Sequence, residues 1–406
     1  METTLAFLAV VVSASLVITR LGPFLSLVLA SIAFGLLTGM GVQMLEYISA
    51  GLSRIFSSLA LVVFCGALLA EYLRRTEGLE RIVFDLRKLT TKIHIVSGAA
   101  GYLISLPAMC SITAYMILEP VVKGLAEKAG SDGRRSLFMT AACSIISFNL
   151  IYPSPVMISL SSGLSAEPSD LLRQSIPISL ILFILCYLLM SYMFPEAERQ
   201  GEQSTSPQMN SARAWTPLIF PVGMMLLGGV NPTVAVFARP DMALLMGALL
   251  CLWLERGIAQ EMVHAASRRS GVILLDLCGA GAFGYVIAES SLAGEIYQLG
   301  QFLPALLLPF FLSALLQLAI GSRVVSAAVS CQVLAGYPLP SVTLALLIAS
   351  GAFMLPYVTD PYFWLIKRST GASMRQMVRG YTLPLSLLGV ASFLLAALSS
   401  LIWPQI

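Results

Sequence analysis

Arg323 and Asp360 are charged residues set inside long apolar stretches, each at a break in the helical pattern. Arg323 follows Ile320-Gly321-Ser322, and Asp360 lies between Thr359 and Pro361. A charge at the centre of a membrane helix costs about 2.5–3.5 kcal/mol on insertion scales, so it needs a partner or a polar cavity. The planar guanidinium fork of Arg323 suits a carboxylate, which makes Arg323 a candidate substrate ligand. The alternatives are a structural ion pair with an internal acid, or extension to the outer interface. Asp360 could carry a coupling proton or bind a cation, and could equally cap the half-helix that follows. Asp276, just before Gly279-Ala-Gly-Ala-Phe-Gly284, is a second candidate coupling acid that could instead neutralise Arg323.

Non-helical backbone is tolerated at membrane depth only where protein or a water-filled cavity satisfies its amides, so helix breaks mark candidate sites. Four stand out, at residues 106–111, 149–155, 320–323 and 356–361. Their short polar side chains Ser111, Asn149, Ser154, Ser322 and Thr359 join Arg323 as candidate substrate ligands. The half-helix ends around them can aim amides at an anion and leave carbonyls for a cation. The plainer reading is that Pro and Gly only kink packed helices. The run Gly279 to Gly284 lies within an apolar span with no strand before it, so close helix packing explains it better than dinucleotide binding. The seven cysteines show no CxxC spacing and fall in or beside apolar segments, which points to buried free thiols and to no metal site.

The elements that must hold these residues are membrane helices. The chain is 57% hydrophobic and 11% charged, whereas soluble domains are about 25% charged. Apolar stretches near 3–19, 21–40, 56–72, 94–118, 137–163 and 174–194 are followed by a second series near 215–230, 240–255, 271–288, 301–335, 341–366 and 380–403. Cys65-Gly66-Ala67 recurs as Cys278-Gly279-Ala280, Phe148-x-Leu150-x-Tyr152 as Phe353-x-Leu355-x-Tyr357, and Ile176-Pro177-Ile178-Ser179-Leu180 as Leu383-Pro384-Leu385-Ser386-Leu387. Three blocks in one order indicate two repeats, 1–195 and 215–406, joined by a polar linker at 196–214. With 94–118 and 301–335 as re-entrant hairpins, each half crosses an odd number of times and the second copy is inverted. The fold class expected is an all-α polytopic membrane protein of about ten crossings plus two hairpins.

The 24 Lys and Arg residues test that topology, because cytoplasmic loops collect them. Only Arg54, Arg173 and Arg239 fall on the opposite side, and Arg323 stays within the membrane. Both termini are therefore expected outside the cytoplasm, in a multi-pass cytoplasmic (inner) membrane protein. Segments 77–92 and 256–270 mix charge with apolar residues at helical spacing and are expected to be interfacial helices. His94 and His264 fall at the cytoplasmic edge and in a loop, and no chemistry is assigned to them.

The sequence resembles the gluconate permease family of the ion transporter superfamily over nearly its whole length. The segments that carry this are Leu21-Gly-Pro-Phe-Leu-Ser-Leu-Val-Leu29, Gly66-Ala-Leu-Leu leading to Gly78-Leu-Glu-Arg81, Gly279 to Gly284, Gly321-Ser322, and Asp360-Pro-Tyr-Phe-Trp364. The resemblance implies scaffold and transport domains, a homodimer, and movement of small organic acids with a coupling cation, typically a proton. The chain departs from the family pattern at Phe148, at Tyr152-Pro153-Ser154-Pro155, at Ser111 and at Arg323.

Internal duplication in a membrane protein favours a secondary transporter of a small anion coupled to H+ or Na+. A sodium-coupled dicarboxylate or citrate carrier is the alternative. A channel or an intramembrane enzyme is less well supported, because no catalytic dyad or metal cluster is evident. No organic cofactor and no nucleic-acid partner are expected.

Overall fold

The computed structural model describes residues 2–90, 92–128, 133–194, 208–228, 235–292, 303–357 and 359–402, together with 295 and 298. Every regular element among them is helical. The first predicted pair of helices, near 3–19 and 21–40, forms the two halves of α1 (Glu2–Leu37), separated by a kink at Gly22. Gly22 breaks it with a φ of 77°, a value L side chains rarely adopt, and Pro23 restarts it where an N–H would be unsatisfied anyway. Helix α2 (Gln43–Arg75) starts well before the expected residue 56 and bends by 45° between Ser57 and Leu59.

Helix α3 (Gly78–Leu89) has the expected amphipathic pattern, with Leu79, Ile82, Val83 and Leu86 buried on one face. The segment 256–270, by contrast, is not a separate interfacial helix. It runs into α11 (Ala259–Ala288), continuous for 30 residues. At 1.5 Å per residue that is about 45 Å, longer than a hydrocarbon core of about 30 Å, so its charged first turns can stand outside the bilayer without a break.

Between α3 and α11 run α4 (Ile93–Ser105), α5 (Ser111–Lys128), α6 (Arg134–Leu150), α7 (Pro155–Leu164), α8 (Pro168–Met193), α9 (Ser211–Gly228) and α10 (Pro240–Leu254). After α11 come α12 (Leu307–Ile320), α13 (Arg323–Val333), α14 (Ser341–Gly351), α15 (Pro361–Thr370) and α16 (Leu383–Ile402). Both series, α4–α8 and α12–α16, hold a pair of helices, then two helices separated by a break, then a long helix. The segments expected as hairpins, 94–118 and 301–335, hold the helix pairs α4–α5, which runs on to Lys128, and α12–α13. Most of the linker expected at 196–214 lies outside the described residues, and its last part is the start of α9.

Among the described residues four helical stretches are long and apolar enough to cross a bilayer, at 134–164, 168–193, 256–288 and 374–401, or five if bent α2 is one span. The arms α4, α12 and α13 are too short to cross alone. Helices α2 and α11 pack along much of their length, and small residues allow it. A Cβ at Gly51 would lie 2.4 Å from the carbonyl oxygen of Gly281, and one at Gly279 would lie 3.0 Å from the Phe24 backbone. The glycine run is thus packing surface, as its sequence context indicated.

Candidate functional site

Both broken helices restart in the same way. Ser154 precedes Pro155 and accepts from the Met157 amide at 3.2 Å; Asp360 precedes Pro361 and accepts from the Tyr362 amide at 2.9 Å. A side-chain acceptor with Pro in the first helical position is a strong helix start, because it satisfies amides that have no partner within the helix. The bland role foreseen for Asp360 is therefore real. It uses only Oδ1.

Oδ2 of Asp360 accepts from Arg323 Nη2 at 3.0 Å and from the Tyr381 hydroxyl at 2.8 Å, and Arg323 Nη2 also reaches Tyr381 at 3.0 Å. Arg323 is 5% exposed and Asp360 1%. Each residue of this triad comes from a different irregularity. Arg323 opens α13 directly after the hairpin tip, where Gly321 has a φ of 71°. Asp360 ends the second break, and Tyr381 sits in a π-helical turn, Val378–Thr382. Such turns occur mostly as single insertions in helices, often at functional sites.

These pieces are locked together. A Cβ at Gly321 would lie 2.1 Å from the Thr359 carbonyl oxygen, so only glycine lets the tip rest on the break. Thr359 Oγ1 donates to the Leu318 carbonyl at 2.8 Å, Thr382 Oγ1 donates to Pro356 at 2.7 Å, and the Leu355 amide donates to Ser386 Oγ at 3.0 Å. Exposed backbone at the break is thus satisfied by neighbouring helices, as membrane depth requires.

The cluster extends into the first half through tyrosines. Tyr362 stacks edge-on against Tyr381 and Tyr115, and its hydroxyl lies 3.0 Å from Ser144 Oγ on α6. Tyr115, on hairpin arm α5, donates to Ser369 at 2.9 Å.

The structure brings Ser322, Arg323, Thr359 and Asp360 to one place. No hydrogen bond joins these four to Ser111, Asn149 or Ser154 among the described residues. Ser111 is buried at the start of α5, and Asn149 is fully buried near the end of α6 with neither amide atom paired. Asp276 does not serve as the partner of Arg323. Its carboxylate meets the Phe24 backbone amide just after the Gly22 break, so it caps the second half of α1. Sequence reasoning passed over Tyr381, Tyr362 and Ser144, because tyrosine and serine in apolar spans are common and a π-turn leaves no local signature. His94, to which the sequence assigned no chemistry, is buried, stacked on Tyr187 and 3.3 Å from Arg135 Nη2.

The family described as GntP family permease matches residues 2–216 and 220–402. The chain belongs to that family. The permease is 22% identical to the high-affinity gluconate transporter of Escherichia coli K12, over 90% of this chain and 91% of that protein. It is 23% identical to the D-serine transporter DsdX of the same organism, over 93% of each. Its fold is similar to that of the Alcanivorax borkumensis YdaH transporter, with a TM-score of 0.58 at 16% identity over 90% of this chain and 89% of the other. Members of the family are transporters rather than enzymes. With its apolar helices, the permease is an integral membrane protein.

Proposed function

We propose that this permease is a secondary active symporter that carries one small monocarboxylate together with one proton, with Arg323 as the substrate ligand and Asp360 as the proton carrier. The observation that carries the reading is the buried triad. Arg323 and Asp360 cancel one another in a site where an unbalanced charge would be costly. Arg323 uses only Nη2 for both of its bonds, and its buried Nε has no partner. A substrate carboxylate can take the free side of the fork, and the site then holds one negative charge too many. Protonation of Asp360 restores neutrality, so anion and proton move together. A dicarboxylate would leave a further charge uncompensated, which favours the monocarboxylate over the sodium-coupled dicarboxylate alternative.

Gluconate, named for one relative, is the first substrate to try, since it is a hydroxylated monocarboxylate of net charge −1; D-serine, named for another, has a hydroxyl and a carboxylate but also an ammonium group, so it carries no net charge and tests whether charge balance sets the proton requirement. In the proposed cycle the series α4–α8 and α12–α16 are inverted repeats. Their hairpins and broken helices form the transport domain, and it moves against a scaffold containing α2 and α11. The proposal includes a homodimer in the inner membrane, about ten crossings per chain and both termini outside the cytoplasm.

Proteoliposomes test the coupling. An inward proton gradient should drive labelled substrate uphill and alkalinise the outer medium, and Asp360→Asn should abolish uphill uptake while substrate exchange persists. Uphill uptake driven by sodium at equal pH would overturn proton coupling.

A further inference from the structure

Away from the triad, a cavity of ≈ 340 Å³ is enclosed by α2, α7, α11 and α13, within the range of about 300–1,000 Å³ for small-molecule sites. Its mixed lining includes six polar residues, Arg54, Ser57, Ser159, Ser162, Glu289 and Gln332. Two of these offer unused bonding capacity. Ser159 is 3% exposed and its hydroxyl has no partner; Gln332 Oε1 is also buried and unpartnered. A buried polar atom left unmatched costs roughly 1–3 kcal/mol, so such atoms in a cavity wall suit a ligand.

The local sequence builds this wall. A Cβ at Gly284 would lie 2.5 Å from Gln332 Oε1, and one at Gly163 would lie 2.5 Å from Cys331 Sγ. Two glycines therefore let α13 come close to α11 and α7. Arg54 and Ser57 stand where α2 bends, and Arg54 is one of three basic residues on the side that the charge distribution assigns to the exterior. Ala328, in the cavity wall, follows Arg323 by five residues on α13, about 8 Å of helix.

We propose that this cavity is a second, outer binding site for a small hydroxylated monocarboxylate, occupied on the way to the Arg323–Asp360–Tyr381 site. The proposal rests on the transport reading above. Arg54 receives the carboxylate, and Ser57, Ser159, Ser162 and Gln332 meet the hydroxyls. Glu289 lines the same cavity as Arg54, and its negative charge offsets part of the attraction for an anion. The site is consequently weak, as a waypoint must be if it is to release what it catches.

Ser162→Cys places a thiol at the mouth of the cavity, where Ser162 is exposed. Proteoliposomes carrying this variant are labelled with a small membrane-impermeant methanethiosulfonate, with the unsubstituted protein as the blank, in the presence of gluconate or D-serine. At least one of the two should slow labelling about tenfold, and Arg54→Gln should remove that protection without preventing labelling. In uptake, Arg54→Gln should raise KM more than it lowers kcat. The size expected is the loss of one charge-assisted hydrogen bond, about tenfold. Asp360→Asn should leave the protection intact. Labelling indifferent to both solutes, or protection that survives Arg54→Gln, overturns the outer site. Protection without any uptake would retain the site and refute the transport reading; uptake without protection would do the reverse.

Discussion

Asp360 divides its carboxylate between two tasks, holding the Tyr362 amide at the start of α15 with Oδ1 and Arg323 of the neighbouring hairpin with Oδ2. Local helix initiation and contact between the hairpin and the broken helix thus depend on one side chain. This relationship separates what Arg323 does for folding from what it does for transport.

Arg323→Gln should leave Asp360 buried with Tyr381 as its remaining side-chain partner, and Asp360→Asn should strand Arg323 in the same way. Each single change is expected to destabilise the protein by about 3–5 kcal/mol, the range for breaking a buried pair. The double variant should recover much of that loss, because two neutral amides can hydrogen-bond without a net charge. Thermal melts in detergent measure the cycle, and uptake is measured alongside. Transport should not return with stability. A double variant that transports normally would leave Arg323 and Asp360 a structural pair only.

The breaks themselves were legible because Pro and Gly announce them. Gly321-Ser322 and Asp360-Pro361 fall at helix breaks where the sequence placed them, and so does Ser154-Pro155. The pairing of charges was not legible. Asp276 and Asp360 were equally available to Arg323 in one dimension, and only the contact of Gly321 with Thr359 brings Asp360 to it. Segment 256–270 was misread because charged residues at helical spacing look the same on an interfacial helix and on the end of a helix that outruns the bilayer. The Tyr381 contribution depends on a π-turn that adds a residue to a helix otherwise reading as regular.

Gly321→Ala tests the close approach of tip and break. The new Cβ would meet backbone atoms of Thr359 and Asp360 that cannot move aside, in a left-handed conformation that alanine also resists. A loss of about 2 kcal/mol and at least tenfold slower uptake are expected. Gly271→Ala on α11 is the control, since nothing lies within 4 Å of its added methyl. It should be neutral or stabilising by up to about 1 kcal/mol. Equal behaviour of the two variants in melts and uptake would show that tip and break need not touch.

On the cytoplasmic side of the proposed topology, Asp85 of α3 accepts from Ser211, and from Trp215 Nε1 at 3.2 Å. Burial opposes its charge, but hydrogen bonds from Ser211, Trp215 and Lys88 and the nearby Arg81 outweigh it and hold the carboxyl below its usual value. A carboxylate whose native pKa is depressed contributes stability above its unfolded value of about 3.9, and that contribution disappears as pH falls through the native value. Asp85→Asn should therefore lower stability at pH 7, by about 1 kcal/mol. The gap from the unsubstituted protein should close below about pH 4. A gap constant from pH 7 to pH 3 would show that the charge of Asp85 is not what ties α3 to α9.

Asn149 carries the remaining prediction, because its environment makes opposite outcomes follow from opposite roles. Its amide is fully buried and both polar atoms are unpartnered, in the last turn of α6 before the break that ends at Ser154. Such a residue is a burden on the empty protein of roughly 1–3 kcal/mol. If it waits for a substrate hydroxyl or carboxylate, Asn149→Leu should leave the melting temperature of the substrate-free protein unchanged or raise it. The stabilisation produced by a fixed high concentration of gluconate or D-serine should shrink in the same variant, since a ligand that binds the folded state raises its apparent stability by an amount that grows with the logarithm of its affinity. A purely structural amide predicts the reverse pattern, a lower melting temperature with the ligand-induced increment preserved. Melting curves of both proteins with and without solute decide between them, and the reverse pattern would remove Asn149 from the binding site.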